Sequence, residues 1–250
     1  MFTSVIIPAY QKVHLLAECL DRLESQTSRS FEVLVISDGC ADVVSFVNRY
    51  RSSYPLSVYN TGYEGFGVAL AKNMGIHHAV GEQIIILGPD CLVKPDFVTR
   101  HQSYFDQGLL VLGMLPSVEL DEIGCIDYVC MDEQRDIFYS YANLEDLEFG
   151  LDFSHLTFSG NMSFSRADAL SIGGFDVVNF LGEGGSDTDF GRRHALRFGR
   201  IKFIRNPAFH VGLMSNVAGS NHRQTQNWSR DILSELVNRP DAVVDFIWSV

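Results

Sequence analysis

The 250-residue chain is 46% hydrophobic and 20% charged, and its 31 acidic against 19 basic side chains give a net charge of −12. That length and composition bury a sizeable core and exclude intrinsic disorder. The acidic balance excludes a general nucleic-acid binder and a polybasic membrane anchor, yet leaves room for an anionic small ligand held by a metal ion or by backbone N–H groups. The longest apolar runs, such as Ile84-Ile85-Ile86-Leu87, are far short of the ~20 residues that cross a bilayer, so no transmembrane segment is expected. Val5-Ile6-Ile7 is cut by Pro8 and has no basic region before it, unlike a signal peptide. Cys19, Cys40, Cys91, Cys125 and Cys130 show no CxxC or zinc spacing, which predicts reduced thiols and a cytoplasmic location, with the sequons at Asn161 and Asn227 unused.

In chain order, residues 3–7 form a strand ended by Pro8, and residues 12–26 a helix with Leu15, Leu16, Cys19, Leu20 and Leu23 on one face. Residues 31–36 form a buried strand running into Ser37-Asp38-Gly39, followed by a helix over 43–50 and a short strand over 56–59. A Gly-rich turn opens a helix over 68–79, and residues 83–87 form another apolar strand. This β-α-β-α-β-α-β order predicts an α/β fold with a doubly wound, mostly parallel sheet and right-handed crossovers. Ligands on such sheets bind outside the carboxyl ends of the strands. Pro8-Ala9-Tyr10, Ser37-Asp38-Gly39 and Gly88-Pro89-Asp90 all fall at such ends, on one rim.

The second half reads differently. Residues 109–114 form a strand, and residues 120–150 are rich in acids and aromatics with weak helical periodicity. Residues 157–164 read as a strand containing Gly160, and Ser165 opens a helix with Asp168 completing a capping box. Gly173-Gly174 stops that helix, and a Gly-rich loop over 182–185 leads to a helix over 187–198. A strand over 201–204 and a helical pattern over 225–238 close the chain. No internal repeat or linker is visible, so a single domain is expected, with halves at 1–115 and 116–215 and a helical tail at 216–250.

Several of these segments together resemble a known family. Ser4-Val-Ile-Ile-Pro-Ala-Tyr10, Phe31-Glu-Val-Leu-Val-Ile-Ser-Asp-Gly39 and Gly67-Val-Ala-Leu-Ala-Lys-Asn73-Met-Gly75 are similar to a family 2 glycosyltransferase of the GT-A fold. Ile84-Ile-Ile-Leu-Gly-Pro-Asp-Cys91 stands where that family carries its DxD strand end. Gly173-Gly-Phe-Asp176 with Gly184-Gly-Ser-Asp-Thr-Asp189 resembles its acceptor-side loop, and Pro207-Ala-Phe-His210 its late His segment. The match runs through residues 3–212 in family order. It implies a second, acceptor-side lobe and transfer of a sugar from a nucleotide-diphosphate sugar to an acceptor hydroxyl, with inversion in one displacement. The acceptor would be a saccharide or lipid-linked saccharide, a setting such as surface-polysaccharide assembly, with peripheral membrane contact compatible. The chemistry needs a nucleotide pocket, a cation for the leaving diphosphate and a base for the acceptor proton.

The resemblance implies roles residue by residue. Pro8, Ala9 and Tyr10 stand at the first nucleotide loop; a strand terminator and an ordinary aromatic would look the same. Asp38 stands where a carboxylate pairs with the base ring, or is simply a turn Asp before Gly39. Gly65 and Gly67 permit close approach before a helix N-terminus, in a spacing that is not the dinucleotide GxGxxG. Lys72, where the family often has Arg, would contact base or phosphate or face solvent, and Asn73 could hold a loop. Asp90, beside Pro89, is the hard oxygen ligand for Mn2+ or Mg2+, with His210 as a second ligand. Gly88 replaces the first Asp of DxD, which puts a ribose contact in doubt more than metal binding. Asp187, following Gly185 and Ser186, is the candidate base and equally a helix-capping residue; Asp189 is a weaker candidate. Ser186 replaces a Glu common there, and Glu183 would address the acceptor or water. The Gly88 and Ser186 departures also suit a non-catalytic GT-A domain that binds a nucleotide sugar or a partner protein. A sugar-nucleotide pyrophosphorylase is disfavoured, because Pro8-Ala9-Tyr10-Gln11 is not a Gly-rich basic phosphate loop.

Overall fold

A computed structural model of the chain describes residues 1–120, 126–130, 138–139, 142–182 and 184–212. The expected helical tail, with Trp228 and Trp248, and most of the acid-rich stretch at 120–141 lie outside the described residues, as do Glu183 and Cys125.

Strands β1 (Thr3–Ala9), β2 (Phe31–Ser37), β3 (Leu56–Asn60) and β4 (Gln83–Leu87) alternate with helices α1 (Val13–Glu24), α2 (Ala41–Val47) and α3 (Val68–His78). Then come β5 (Cys91–Val93), α4 (Phe97–Ser103), β6 (Leu109–Gly113), β7 (Ser117–Leu120) and β8 (Ile126–Cys130). After them come β9 (Asn161–Ser165), α5 (Arg166–Ser171), α6 (Ser186–Phe198), β10 (Arg200–Ile204) and β11 (Ala208–Val211). The main sheet has seven strands in the order β10-β6-β9-β4-β1-β2-β3, and a smaller sheet runs β5-β11-β7-β8. β1 to β4 are mutually parallel and β10 is parallel to β6, while β9 runs antiparallel between β4 and β6. The mostly parallel sheet agrees with the sequence expectation.

Strands β1, β2, β4 and β6 are mostly apolar because both of their faces are covered. Val5, Ile7, Val33, Val35, Ile85 and Leu87 face α1 and α2, through Leu16, Leu20, Leu23 and Val43. Ile6, Leu34, Ile84, Ile86, Leu112 and Phe164 face α3 and α6, through Ala71, Ile76, Phe190 and Ala195. Successive residues of each strand therefore serve opposite cores, as the two-residue strand period requires.

Three local expectations change. β1 continues through Pro8 to Ala9, because the ladder to β4 ends at Ile6↔Ile86 and the missing N–H leaves no bond unmade on that side. β9 starts after Gly160, where its antiparallel register with β4 begins at Asn161↔Leu87. The Ser165 side chain does accept from Asp168 N, but Asp168 Oδ2 accepts from Gly108 N at 2.6 Å, so the cap is one-sided. The buried Asn161 side chain donates to Met114 O and Asn206 O, which leaves this sequon no accessible amide.

Candidate functional site

The carboxyl ends of the parallel strands meet on one rim. Asp38 N donates to Ala9 O at 2.9 Å, which joins the loops after β2 and β1. Pro8 is half-buried and Ala9 buried, while Tyr10 is 54% exposed at the open edge. Asp38 is buried, and its Oδ2 accepts from Gly67 N at 2.8 Å, with Thr61 Oγ1 3.4 Å from Oδ1. A Cβ on Gly67 would stand 2.6 Å from Asp38 Oδ1, so only glycine lets the α3 N-terminus approach this carboxylate. Burial pushes the Asp38 carboxyl up; the Gly67 N–H and the Thr61 hydroxyl oppose that. Asp38 thus ties β2 to the head of α3 and keeps Oδ1 only loosely engaged.

After β4, the turn Gly88-Pro89-Asp90 carries Asp90 to the same rim, with Pro89 half-buried in it. The late strand β11 lies antiparallel to β5, placing His210 opposite Cys91, and Val211 N donates to Asp90 O at 2.8 Å. His210 Nε2 therefore lies 3.4 Å from Asp90 Oδ2. His210 Nδ1 donates to Gly212 O at 3.1 Å, which turns Nε2 toward the carboxylate. Lys12 Nζ approaches the same Oδ2 at 3.3 Å. Burial alone would raise Asp90, but His210 and Lys12 outweigh it and hold the carboxyl below its ordinary range. The bond to Asp90 raises His210 against the opposing effect of burial.

Asp90 and His210 offer one hard oxygen and one imidazole nitrogen at a common point, a donor set that suits Mn2+ and also admits Mg2+. Among the described residues no group of three His, Cys, Asp or Glu side chains adds a further ligand. The remaining positions of a cation here would fall to water and to a ligand's own oxygens. Gly88, at the position of the family's first Asp, has Cys91 Sγ only 2.8 Å from where a Cβ would stand.

Asp187 sits in the first turn of α6, after Gly185 in the left-handed region (φ 101) and the buried Ser186. It does not cap the helix. Its Oδ1 accepts from Lys72 Nζ, and its Oδ2 accepts from Ser159 Oγ at 2.7 Å and Ser159 N at 3.1 Å. Asp189 is taken by Arg193, whose Nε donates at 2.7 Å and whose other nitrogens reach Ile172 O and Gly174 O. Lys72 is 2% exposed and packs over the Phe175 ring at 4.9 Å. Asn73 closes a two-bond clamp on Phe175, with 2.7 Å from Nδ2 to Phe175 O and 2.7 Å from Phe175 N to Oδ1.

Sequence reasoning singled out Asp38, Asp90, Asp187 and His210 and missed Lys12, Thr61 and Ser159. Nothing in the pattern distinguishes Ser159 from any loop serine. Lys12 had a local signal only in retrospect: with Gln11 it holds a positive φ (53° and 44°), unusual for two successive non-glycine residues.

Comparison with known proteins bears on the fold and the family. The chain is 27% identical over 223 residues to the uncharacterized glycosyltransferase YwdF of Bacillus subtilis, covering 88% of this chain and 77% of that one. Other curated relatives are much longer, and the chain spans 14% to 44% of their length. The crystal structure of Staphylococcus aureus TarS 1–349 in complex with UDP-GlcNAc matches with a TM-score of 0.65 at 18% identity, over 96% of this chain and 68% of that one. The mannosyltransferase PcManGT of Pyrobaculum calidifontis, in complex with GDP-Man and Mn2+, matches with a TM-score of 0.62 at 20% identity, over 94% and 63%. These likenesses show a GT-A fold. The family model for glycosyl transferase family 2 matches residues 4–159, which include Asp38, Asp90 and Ser159 but not Asp187 or His210. With more than half of its length matched, the chain belongs to glycosyl transferase family 2.

Proposed function

We propose that this chain transfers a sugar from a nucleotide-diphosphate sugar to an acceptor hydroxyl, with inversion and with Mn2+ or Mg2+. The observation that carries the reading is the convergence of Asp90 and His210 from distant strands onto one point of the rim that Asp38 also lines. The bound UDP-GlcNAc of TarS and the bound GDP-Man and Mn2+ of PcManGT, on the same fold, support it.

In this reading Asp38 Oδ1 accepts from the base, and Pro8, Ala9 and Tyr10 flank the nucleotide. Asp90 and His210 would hold the cation, which when bound supplies positive charge to the departing diphosphate. The acceptor oxygen bonds to the anomeric carbon from the face opposite the diphosphate. The anomeric C–O bond breaks with its electron pair going to the diphosphate, and the hydroxyl proton passes to Asp187. Asp187 Oδ1 has one lone pair beyond the Lys72 contact, and its side chain is 25% exposed, so a hydroxyl could reach it. Residues 1–115 would hold the donor, and the segment after 116, with Gly185, Ser186 and Glu183, would address a saccharide or lipid-linked acceptor. No described helix is long and apolar enough to cross a membrane, which suits action at a membrane surface or in the cytoplasm.

The test is a thermal-shift panel of UDP, GDP, TDP and CDP with and without Mn2+, followed by hydrolysis of the matching nucleotide sugar. Ligand binding to the folded state alone raises stability by about 2.7 kcal/mol at a hundredfold excess over Kd. One diphosphate that stabilises only with metal, together with turnover, supports the reading. Gly88 in place of the family Asp favours a second reading, a binding domain without turnover. Stabilisation without hydrolysis would select it, and no shift with any nucleotide would reject both.

A further inference from the structure

A lysine ammonium that is 2% exposed needs a reason to be there, because burying an unpaired charge is costly. Lys72 has one carboxylate partner, Asp187, and a favourable aromatic face, Phe175, at 4.9 Å. Phe175 is itself fixed from the neighbouring residue of the same helix, since Asn73 bonds both its N–H and its carbonyl. Ser159 completes the arrangement from the other side by donating twice to Asp187 Oδ2. Three donors from two separate segments thus converge on one carboxylate, and the Asp187 side chain remains 25% exposed.

We propose that Lys72 is a positioning residue for Asp187, holding its carboxylate in place with one Oδ1 lone pair turned to the acceptor, and that it makes no contact with the donor nucleotide. The inference rests on the reading of Asp187 as the acceptor base. Lys72 and Ser159 together fix the carboxylate in one rotamer, the pre-organisation that an in-line proton transfer needs. A phosphate contact by Lys72 would compete with this pair and with the packing on Phe175.

Lys72→Met, Lys72→Arg and Asp187→Asn in the full chain separate these roles. The readouts are Kd for the stabilising diphosphate of the UDP, GDP, TDP and CDP panel with Mn2+, and kcat and KM for hydrolysis of the matching nucleotide sugar. Lys72→Met is expected to leave Kd and KM within about twofold and to lower kcat roughly 10²-fold, the scale of general-base catalysis. Lys72→Arg, which keeps the charge, is expected to recover at least about tenfold of that loss. Where Lys72→Met does not fold, Lys72→Gln, which keeps a donor without the charge, carries the same expectation. A roughly tenfold weaker Kd in either variant would make Lys72 a donor contact and overturn the proposal, as would kcat within about threefold of the parent. Asp187→Asn that retains parental turnover would instead refute Asp187 as base, a failure independent of Lys72.

Discussion

His210 Nε2 faces Asp90 Oδ2 at 3.4 Å because an antiparallel ladder sets His210 opposite Cys91, the residue after Asp90. Neither side chain could find the other without β11, which is held between β5 and β7 in the smaller sheet. In the proposed reading the pair would supply two ligands and leave the rest of a cation's shell to the diphosphate and water. Metal and nucleoside diphosphate should therefore bind together. Asp90→Ala is expected to abolish the Mn2+-dependent part of the diphosphate thermal shift and to lower turnover by about 10²-fold or more. His210→Ala should weaken Mn2+ by at least about tenfold, the usual loss even for an outer-shell partner. Undiminished metal-stimulated turnover in Asp90→Ala would remove this site from the mechanism.

Gly88 departs from the family's first Asp, and the surroundings have adapted to it. A Cβ there would approach Cys91 Sγ to 2.8 Å and Asp90 Oδ1 to 3.2 Å, and Cys91 is fully buried. Gly88→Asp is therefore expected to cost about 1–3 kcal/mol by overpacking and not to raise activity. The double variant Gly88→Asp, Cys91→Ala removes the contact, so thermal melts should show part of that loss recovered. Equal melting temperatures for Gly88→Asp and the parent would show that the turn yields freely.

The first half of the fold was legible because β1, β2 and β4 are covered on both faces and read as mostly apolar runs, β4 with its observed bounds. The rim followed from strand ends alone, which is why Asp38 and Asp90 stood out. The antiparallel β9 was not legible in direction, since a fully buried five-residue strand carries no mark of its neighbours. β11 was missed because four residues, three of them half-buried, look like a loop until β5 and β7 pair with them. Lys72 was read as a nucleotide contact or a solvated helix residue; its burial depends on a segment about 100 residues later, at Phe175. Asp187 was legible as an acid after a Gly-rich loop, but its partners Lys72 and Ser159 come from two other parts of the chain.

Asn73 is the hinge pin between α3 and the segment before α6. Its amide satisfies both backbone groups of Phe175, and Gly174, at φ +68, passes so close that a Cβ would meet Asn73 Oδ1 at 2.4 Å. Asn73→Ala leaves a buried N–H and a carbonyl without partners, at an expected cost of about 2–4 kcal/mol. Because Phe175 supports Lys72, the same variant should also lower kcat while leaving nucleoside-diphosphate binding in place. Urea melts measure the first effect and turnover the second. A stability change below about 0.5 kcal/mol would mean that the segment re-forms its bonds elsewhere.

His194 is expected to make the protein sensitive to acid. It is fully buried on α6 beside Phe190 and Phe198, and neither ring nitrogen has a hydrogen-bond partner. Burial lowers it from 6.5 to about 4, against a weaker opposing pull from Asp168. Its folded value lies below its unfolded value, so the folded state binds fewer protons there. The associated stability is fully present above about pH 7 and is lost as pH falls from 6.5 toward 4, at 1.36 kcal/mol per unit, or about 3 kcal/mol in all. His194→Leu removes the titration and the two orphaned nitrogens together. It is expected to melt at or above the parent temperature at neutral pH and to lose less on acidification. Parallel melting curves for parent and variant from pH 7.5 to 5 would show that other groups govern the acid response.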